Sequence, residues 1–219
     1  MRMRWRERLP HQPPARLIID VTADGGVVLD ASRGLDRWQL LEGCAQALAV
    51  LADGSAGGRL AALSAVSCTR PAAVGAEVVV RGVPGIRGGA LQQWQVTAHD
   101  QVGVLLSGTV TIARVATVGA GVIDQVPDAP HAVDPLATAA LIDDCFPADL
   151  PVLAGHFPGA PIIPGVYLLA LLERRMGVQV SGISRAKFLH PVTAGERLVI
   201  SPGRILSAGQ TVCVATFTT

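Results

Sequence analysis

The chain is poor in aromatic residues and in charge. Of its 219 residues, 4% are Phe, Trp or Tyr and 16% are charged. Aliphatic side chains must therefore fill the interior, and a hydrophobic share of 50% supplies them. The formal net charge is +1, so no global field favours nucleic acid. Long hydrophobic runs are also missing. The apolar stretches at Leu40–Ala52 and Ile162–Leu172 are interrupted by Glu42, Gln46 or Pro164. They fall short of the roughly 20 apolar residues that span a bilayer. The opening MRMRWRER carries Arg2, Arg4, Arg6 and Arg8, but Pro10, Pro13 and Pro14 follow it. A secretory leader would continue into an apolar run, so a cytoplasmic protein with no membrane or nucleic-acid partner is expected. The four cysteines, Cys44, Cys68, Cys145 and Cys213, form no CxxC pair. That argues against a structural zinc site and for buried free thiols.

What is present reads as two halves with one grammar. In the first, Arg16–Val21 and Gly26–Ala31 resemble strands about an Asp24-Gly25-Gly26 turn. Leu35–Leu51 reads as a helix apolar on almost every face, and such a helix must be buried. Strand-like segments follow at Leu63–Thr69, Glu77–Val83, Leu91–His99 and Val102–Ala113. A stretch at 116–134, rich in Ala, Gly, Val and Pro, reads as a linker. The second half repeats the order. A strand at Ala137–Asp143 precedes a Pro/Gly loop, Pro164 opens a helix to about Met176, and strands follow at Ile183–Phe188, Arg197–Pro202 and Gln210–Thr218. RPAAVGAEVVV (Arg70–Val80) aligns with HPVTAGERLVI (His190–Ile200) at an offset of 120, matching Pro71 to Pro191, Gly75 to Gly195 and Val79 to Val199. The second half ends soon after Gln210–Thr218, which predicts that it lacks a last strand and leaves an open edge.

One segment carries chemistry. GHFPGAPIIPGVYLLALLE (Gly155–Glu173) holds prolines 158, 161 and 164 in a stiff loop before a helix. Pro164 suits a helix start, and the first-turn N–H groups, that of Gly165 above all, point outward with the positive helix end. Residues His156–Val166 resemble the HFPGxPxMPG signature of the FabA/FabZ-type 3-hydroxyacyl-acyl-carrier-protein dehydratases, with Ile163 as the unusual residue. RAKFLHPVTAGERL (Arg185–Leu198), LPHQPPARLIID (Leu9–Asp20) and EGCAQ (Glu42–Gln46) resemble further elements of that family.

The resemblance implies an α+β double hotdog: two antiparallel sheets, each wrapped around a buried central helix, packed as a pseudo-dimer. The halves are read as 1–115, carrying Glu42, and 135–219, carrying His156. In the family a carboxylate lies fourteen residues after the motif histidine. From His156 that position is Ala170, and fourteen residues before Glu42 stands Val28. Each half lacks what the other keeps. Because family dimers pair the histidine of one subunit with the carboxylate of the other, the resemblance implies one composite His156/Glu42 site and a second, lost site at Val28 and Ala170. His156 would be the base, having an unperturbed pKa near 6.5, and Glu42 the acid. Gly165 would bind the thioester carbonyl, Gln46 would orient the carboxylate or a water, and Phe157 and Val166 would help form the substrate site. Neither a metal nor a redox cofactor is implied, since the substrate arrives on phosphopantetheine.

The implied activity is removal of water from 3-hydroxyacyl groups on an acyl carrier protein, in fatty-acid or in polyketide- or polyene-type biosynthesis. The acidic carrier needs basic residues near the tunnel, and Arg185 and Lys187 are the candidates. Two alternatives stand beside this reading. One is an acyl thioesterase. The other is a non-catalytic hotdog that completes a partner subunit or assembles with its own copies. His11, His99, His131 and His190 are read as non-catalytic, with His11 near the tunnel mouth. Glu173 lies three residues beyond the expected acid position and should face another side of its helix.

Overall fold

A computed structural model of the protein describes residue 11 and residues 15–52, 58–114, 144–157 and 159–219. The proposed linker, the expected strand at Ala137–Asp143 and the amino-terminal arginines lie outside these residues.

Ten strands form one antiparallel sheet. They are β1 (Ile18–Val21), β2 (Val27–Leu29), β3 (Gly58–Cys68), β4 (Val78–Gly88), β5 (Leu91–His99), β6 (Val104–Arg114), β7 (Gly182–Phe188), β8 (Leu198–Ser201), β9 (Arg204–Ser207) and β10 (Gln210–Thr218). The spatial order is β1-β2-β4-β5-β6-β3-β7-β10-β9-β8. The first half supplies β1 to β6 and the second β7 to β10, so the halves meet edge to edge where β3 pairs with β7. Leu63 lies opposite Ala186 across that seam. Among the described residues three helices accompany the sheet: α1 (Arg37–Leu51), α2 (Pro151–Gly155) and α3 (Gly165–Met176).

Helix α1 is swallowed by the first half. All its residues are buried except Arg37, Glu42 and Leu51. Asp36 caps its start, accepting from the N–H groups of Trp38 and Gln39, while the Gln39 side chain returns to the Asp36 N–H. In α3, Val166 to Glu173 are all buried, and Gly177 ends the helix in the left-handed conformation at φ 67°. Each half is thus a sheet wrapped about one helix, and together they make a double hotdog.

The internal repeat is structural. Gly75 (φ 74°) and Gly195 (φ 79°) make equivalent turns, and β4 and β8 begin 120 residues apart, at Val78 and Leu198. The meander β8-β9-β10 mirrors β4-β5-β6, which corrects the expectation of a missing last strand. Strand β9 escaped the sequence reading because it is four residues long, between the turns at Gly203 and Gly209. The second half is smaller because β8 and β9 are short, and β8 is the strand at the sheet's edge among the described residues. Helix α2 also replaces part of what reads as loop; Pro151 occupies its first turn, where a missing N–H costs nothing. The thiols are less uniform than expected: Cys44 and Cys213 are buried, whereas Cys68 and Cys145 are half-buried.

Candidate active site

Glu42 is the one residue in the interior of α1 that is not buried, and its carboxylate faces a cavity of about 190 Å³ between the halves. Its side chain is 14% exposed. His156, from the loop joining α2 to α3, lines the same cavity with its Nε2 3.9 Å from Glu42 Oε1. Residues 114 apart in the chain thus meet across the two halves. The backbone helps to align them, because His11 and His156 form an isolated antiparallel bridge.

The His156 ring is held from behind. Its Nδ1 lies 2.6 Å from the carbonyl oxygen of Ile162. A carbonyl only accepts, so Nδ1 carries the proton and the neutral ring turns the lone pair of Nε2 toward Glu42. Burial lowers the His156 pKa below 6.5, while Glu42 and the Ile162 carbonyl oppose that shift. Phe157 sits beside the ring, edge-on at a centroid distance of 4.8 Å, with a backbone φ of 56°. That left-handed conformation in a bulky residue is a strained turn.

Gln46, one turn after Glu42, is fully engaged. Its Nε2 donates to Glu42 Oε1 (3.1 Å) and to the Ala15 carbonyl (2.8 Å), and its Oε1 accepts from the Leu17 N–H (2.9 Å). The amide therefore orients the carboxylate and ties the entry to β1 onto α1.

The start of α3 opens on the cavity. Gly165 lines it, and Pro164 offers no side-chain cap to the first-turn N–H groups. A Cβ on Gly165 would come within 2.9 Å of the Phe188 ring, so glycine is needed for packing as well as for access. Val166 is fully buried and is absent from the cavity lining.

The two helix starts are not alike. Glu42 is five residues past the first residue of α1, and Ala170 is five past the first residue of α3. They are counterparts, and Ala170 has no carboxylate and is fully buried. The start of α1, counterpart of the open end at Gly165, has Asp36 seated on its N–H groups. The α3 counterpart of Glu42 thus has no carboxylate, and the α1 counterpart of the open helix end is satisfied by its own chain.

His11 is the residue that sequence reasoning set aside. It is buried, with Nε2 3.6 Å from Glu42 Oε1 and its ring 4.9 Å from that of His156 and 5.2 Å from that of Phe157. Its Nδ1 has no hydrogen-bond partner among the described residues. Burial, then the neighbouring His156, holds its pKa well below the usual value. The signal was the LPH tripeptide, but nothing local in it says that the chain will fold back on a loop 145 residues away. Arg59, also unforeseen, lines the cavity together with His190. Arg185 and Lys187 lie outside the cavity lining, exposed on β7 on either side of buried Ala186. Glu173 faces elsewhere, as expected. Its carboxylate accepts from Trp38 Nε1 (3.1 Å), the Val180 N–H (2.9 Å) and Arg37 Nη1 (3.1 Å).

Residues 136–212 match the ApeI-like family, described as ApeI dehydratase. The 3-hydroxyacyl-acyl-carrier-protein dehydratase FabZ of Chlamydia trachomatis serovar L2 is 40% identical over 65 residues, covering 23% of this chain and 42% of that protein. The fold is a double hotdog, and its second half is similar in sequence to the FabZ-type dehydratases. The chain spans about two-fifths of the length of the curated relatives it matches. In fold, the double hotdog is similar to the tesB protein of Mycobacterium avium subspecies paratuberculosis, with TM-score 0.51, 14% identity and coverage of 90% of this chain and 93% of that one. The dehydratase heterocomplex ApeI:P of Xenorhabdus doucetiae matches 53% of this chain and 93% of its own, at TM-score 0.45 and 19% identity. Among the described residues no helix is long and apolar enough to cross a membrane.

Proposed function

We propose that the double hotdog dehydrates 3-hydroxyacyl thioesters carried on an acyl carrier protein, through one composite site. The observation that carries this is the approach of His156 Nε2 to Glu42 Oε1, 3.9 Å apart from opposite halves inside one cavity. With Nδ1 on the Ile162 carbonyl, Nε2 is free to take the proton from Cα. The electron pair left on Cα forms the Cα–Cβ double bond, and the Cβ–O bond breaks. A protonated Glu42 gives its proton to the departing hydroxyl, which leaves as water. The proton on His156 then returns to Glu42, restoring both groups. As Cα loses its proton the thioester oxygen gains negative charge, and the uncapped N–H groups at Gly165 are placed to receive it. The product is a 2-enoyl thioester.

Fatty-acid or polyketide- and polyene-type synthesis is the setting such a reaction serves, and the carrier would dock beside Arg185 and Lys187. The test is loss of water from a 3-hydroxyacyl carrier protein, followed by mass. His156→Ala and Glu42→Gln should each lower the rate about 10²–10⁴-fold. Full activity in Glu42→Gln would remove the cross-half pairing. Release of a free acid would establish instead the thioesterase alternative, which shares the fold.

A further inference from the structure

We infer that His11, Glu42 and His156 together form a binding site for a divalent transition-metal ion of the zinc class, at the place where the acyl group would react. One ring nitrogen from each histidine and one carboxylate oxygen lie within 4.8 Å of one another. Two edges of that triangle are 3.6 Å and 3.9 Å, both from Glu42 Oε1. An ion held at roughly 2.0–2.2 Å from nitrogen and oxygen needs the donors to close by only tenths of an ångström each.

The donor atoms are presented for ligation. The Ile162 carbonyl fixes the proton of His156 on Nδ1 and leaves the Nε2 lone pair facing the cluster. That is the outer-shell arrangement by which proteins orient a metal-binding imidazole. Gln46 performs the same service for Glu42. His11 is the telling member. It is buried, its Nδ1 has no hydrogen-bond partner among the described residues, and its Nε2 stands 3.6 Å from Glu42, beyond an ordinary hydrogen bond. The ring is held in place by Phe157 and His156 rather than by a polar partner. Two imidazoles and one carboxylate favour zinc, nickel or copper over magnesium or calcium. The open side of the cavity leaves room for water on the remaining positions.

Sequence patterns miss such a site because its donors are 31 and 114 residues apart, with no local spacing to betray them. An ion there would tie up both groups of the proposed acid–base pair and so act as a competitive inhibitor. Binding itself does not depend on the dehydratase reading; the inhibition does.

The experiment titrates zinc chloride into the chelator-treated full chain by calorimetry, with cobalt(II) absorption in the visible as a report on the ligand field. The expected result is one equivalent per chain, weakened by at least about tenfold in His11→Asn and in Glu42→Gln, since even outer-shell changes have that effect. Circular dichroism and melting establish that both variants fold. No saturable binding, or equal binding in the wild type and both folded variants, overturns the inference. In the dehydration assay zinc should raise KM for the thioester, with recovery on chelation; inhibition that leaves KM unchanged places the ion elsewhere. Zinc bound through these residues in a chain that does not dehydrate would sink the proposed function and leave the metal site standing.

Discussion

His156 Nδ1 and the carbonyl oxygen of Ile162 lie 2.6 Å apart, so the prolyl loop that carries the histidine also fixes its tautomer. The neutral imidazole thereby turns its Nε2 lone pair toward the cavity. Burial lowers its pKa and Glu42 partly restores it. In an NMR titration, the His156 ring should have its midpoint below 6.5, and Glu42→Gln should lower it further. The acid limb of kcat/KM should follow the wild-type midpoint, with activity held below pH 6.5. A midpoint at or above 6.5 would contradict the burial argument.

Stability should depend on pH through the same pocket. His11 and His156 both titrate below their unfolded values. Above about pH 6.5 neither state binds a proton there, and the full stability is present. As pH falls through 6.5 the unfolded chain takes up protons that the folded chain refuses, so stability is lost toward acid. Melting temperature should be level above neutrality and decline from pH 6.5 to 5. His11→Gln should make that decline shallower, without removing the part due to His156. An unchanged slope would mean that His11 is not neutral in the fold.

Glu173 is a strap between the helices of the two halves. Its carboxylate receives Trp38 Nε1 and Arg37 from α1, and the Val180 N–H that leads into β7. Arg37 also donates to the Val180 carbonyl. Glu173→Ala strands a buried indole N–H and a buried amide. It should cost about 2–3 kcal/mol, with Arg37 partly solvated and so discounted. For a chain of this size that is a fall of roughly 5–10 °C in Tm. A loss under 2 °C would mean that water replaces the carboxylate without penalty.

The proposed carrier docking is separable from the proposed chemistry. Arg185 and Lys187 face solvent from β7, the strand that ends at cavity-lining Phe188. Reversing both to glutamate should raise KM for the carrier-bound substrate about tenfold and leave the small pantetheine thioester unaffected. An equal effect on both substrates would place these residues in folding rather than recognition.

Much of this was legible in the sequence because its signals are local. The helix over 37–51 follows from an apolar run opened by Asp36, and the 120-residue offset reproduces the turns at Gly75 and Gly195. The proline-bracketed loop also marked His156 and the helix start at Gly165, which line one cavity. The misses are all long-range or short. Strand β9 has four residues and no period to read. His11 reaches the site by folding back, and Arg59 reaches it along β3, neither of which composition records.

Joining two hotdogs in one chain removes a constraint that identical subunits cannot escape. In a symmetric pair every side chain appears at both mouths, so a cap placed on one helix would close both. Here Asp36 seals one helix end while Pro164 leaves the other bare. One half is thereby free to hold Glu42 and the scaffold, and the other to present His156 and the open helix end. Under the proposed function the molecule gives up one of two possible turnover sites, and in exchange each wall of the remaining one can be shaped without copying the change onto its opposite.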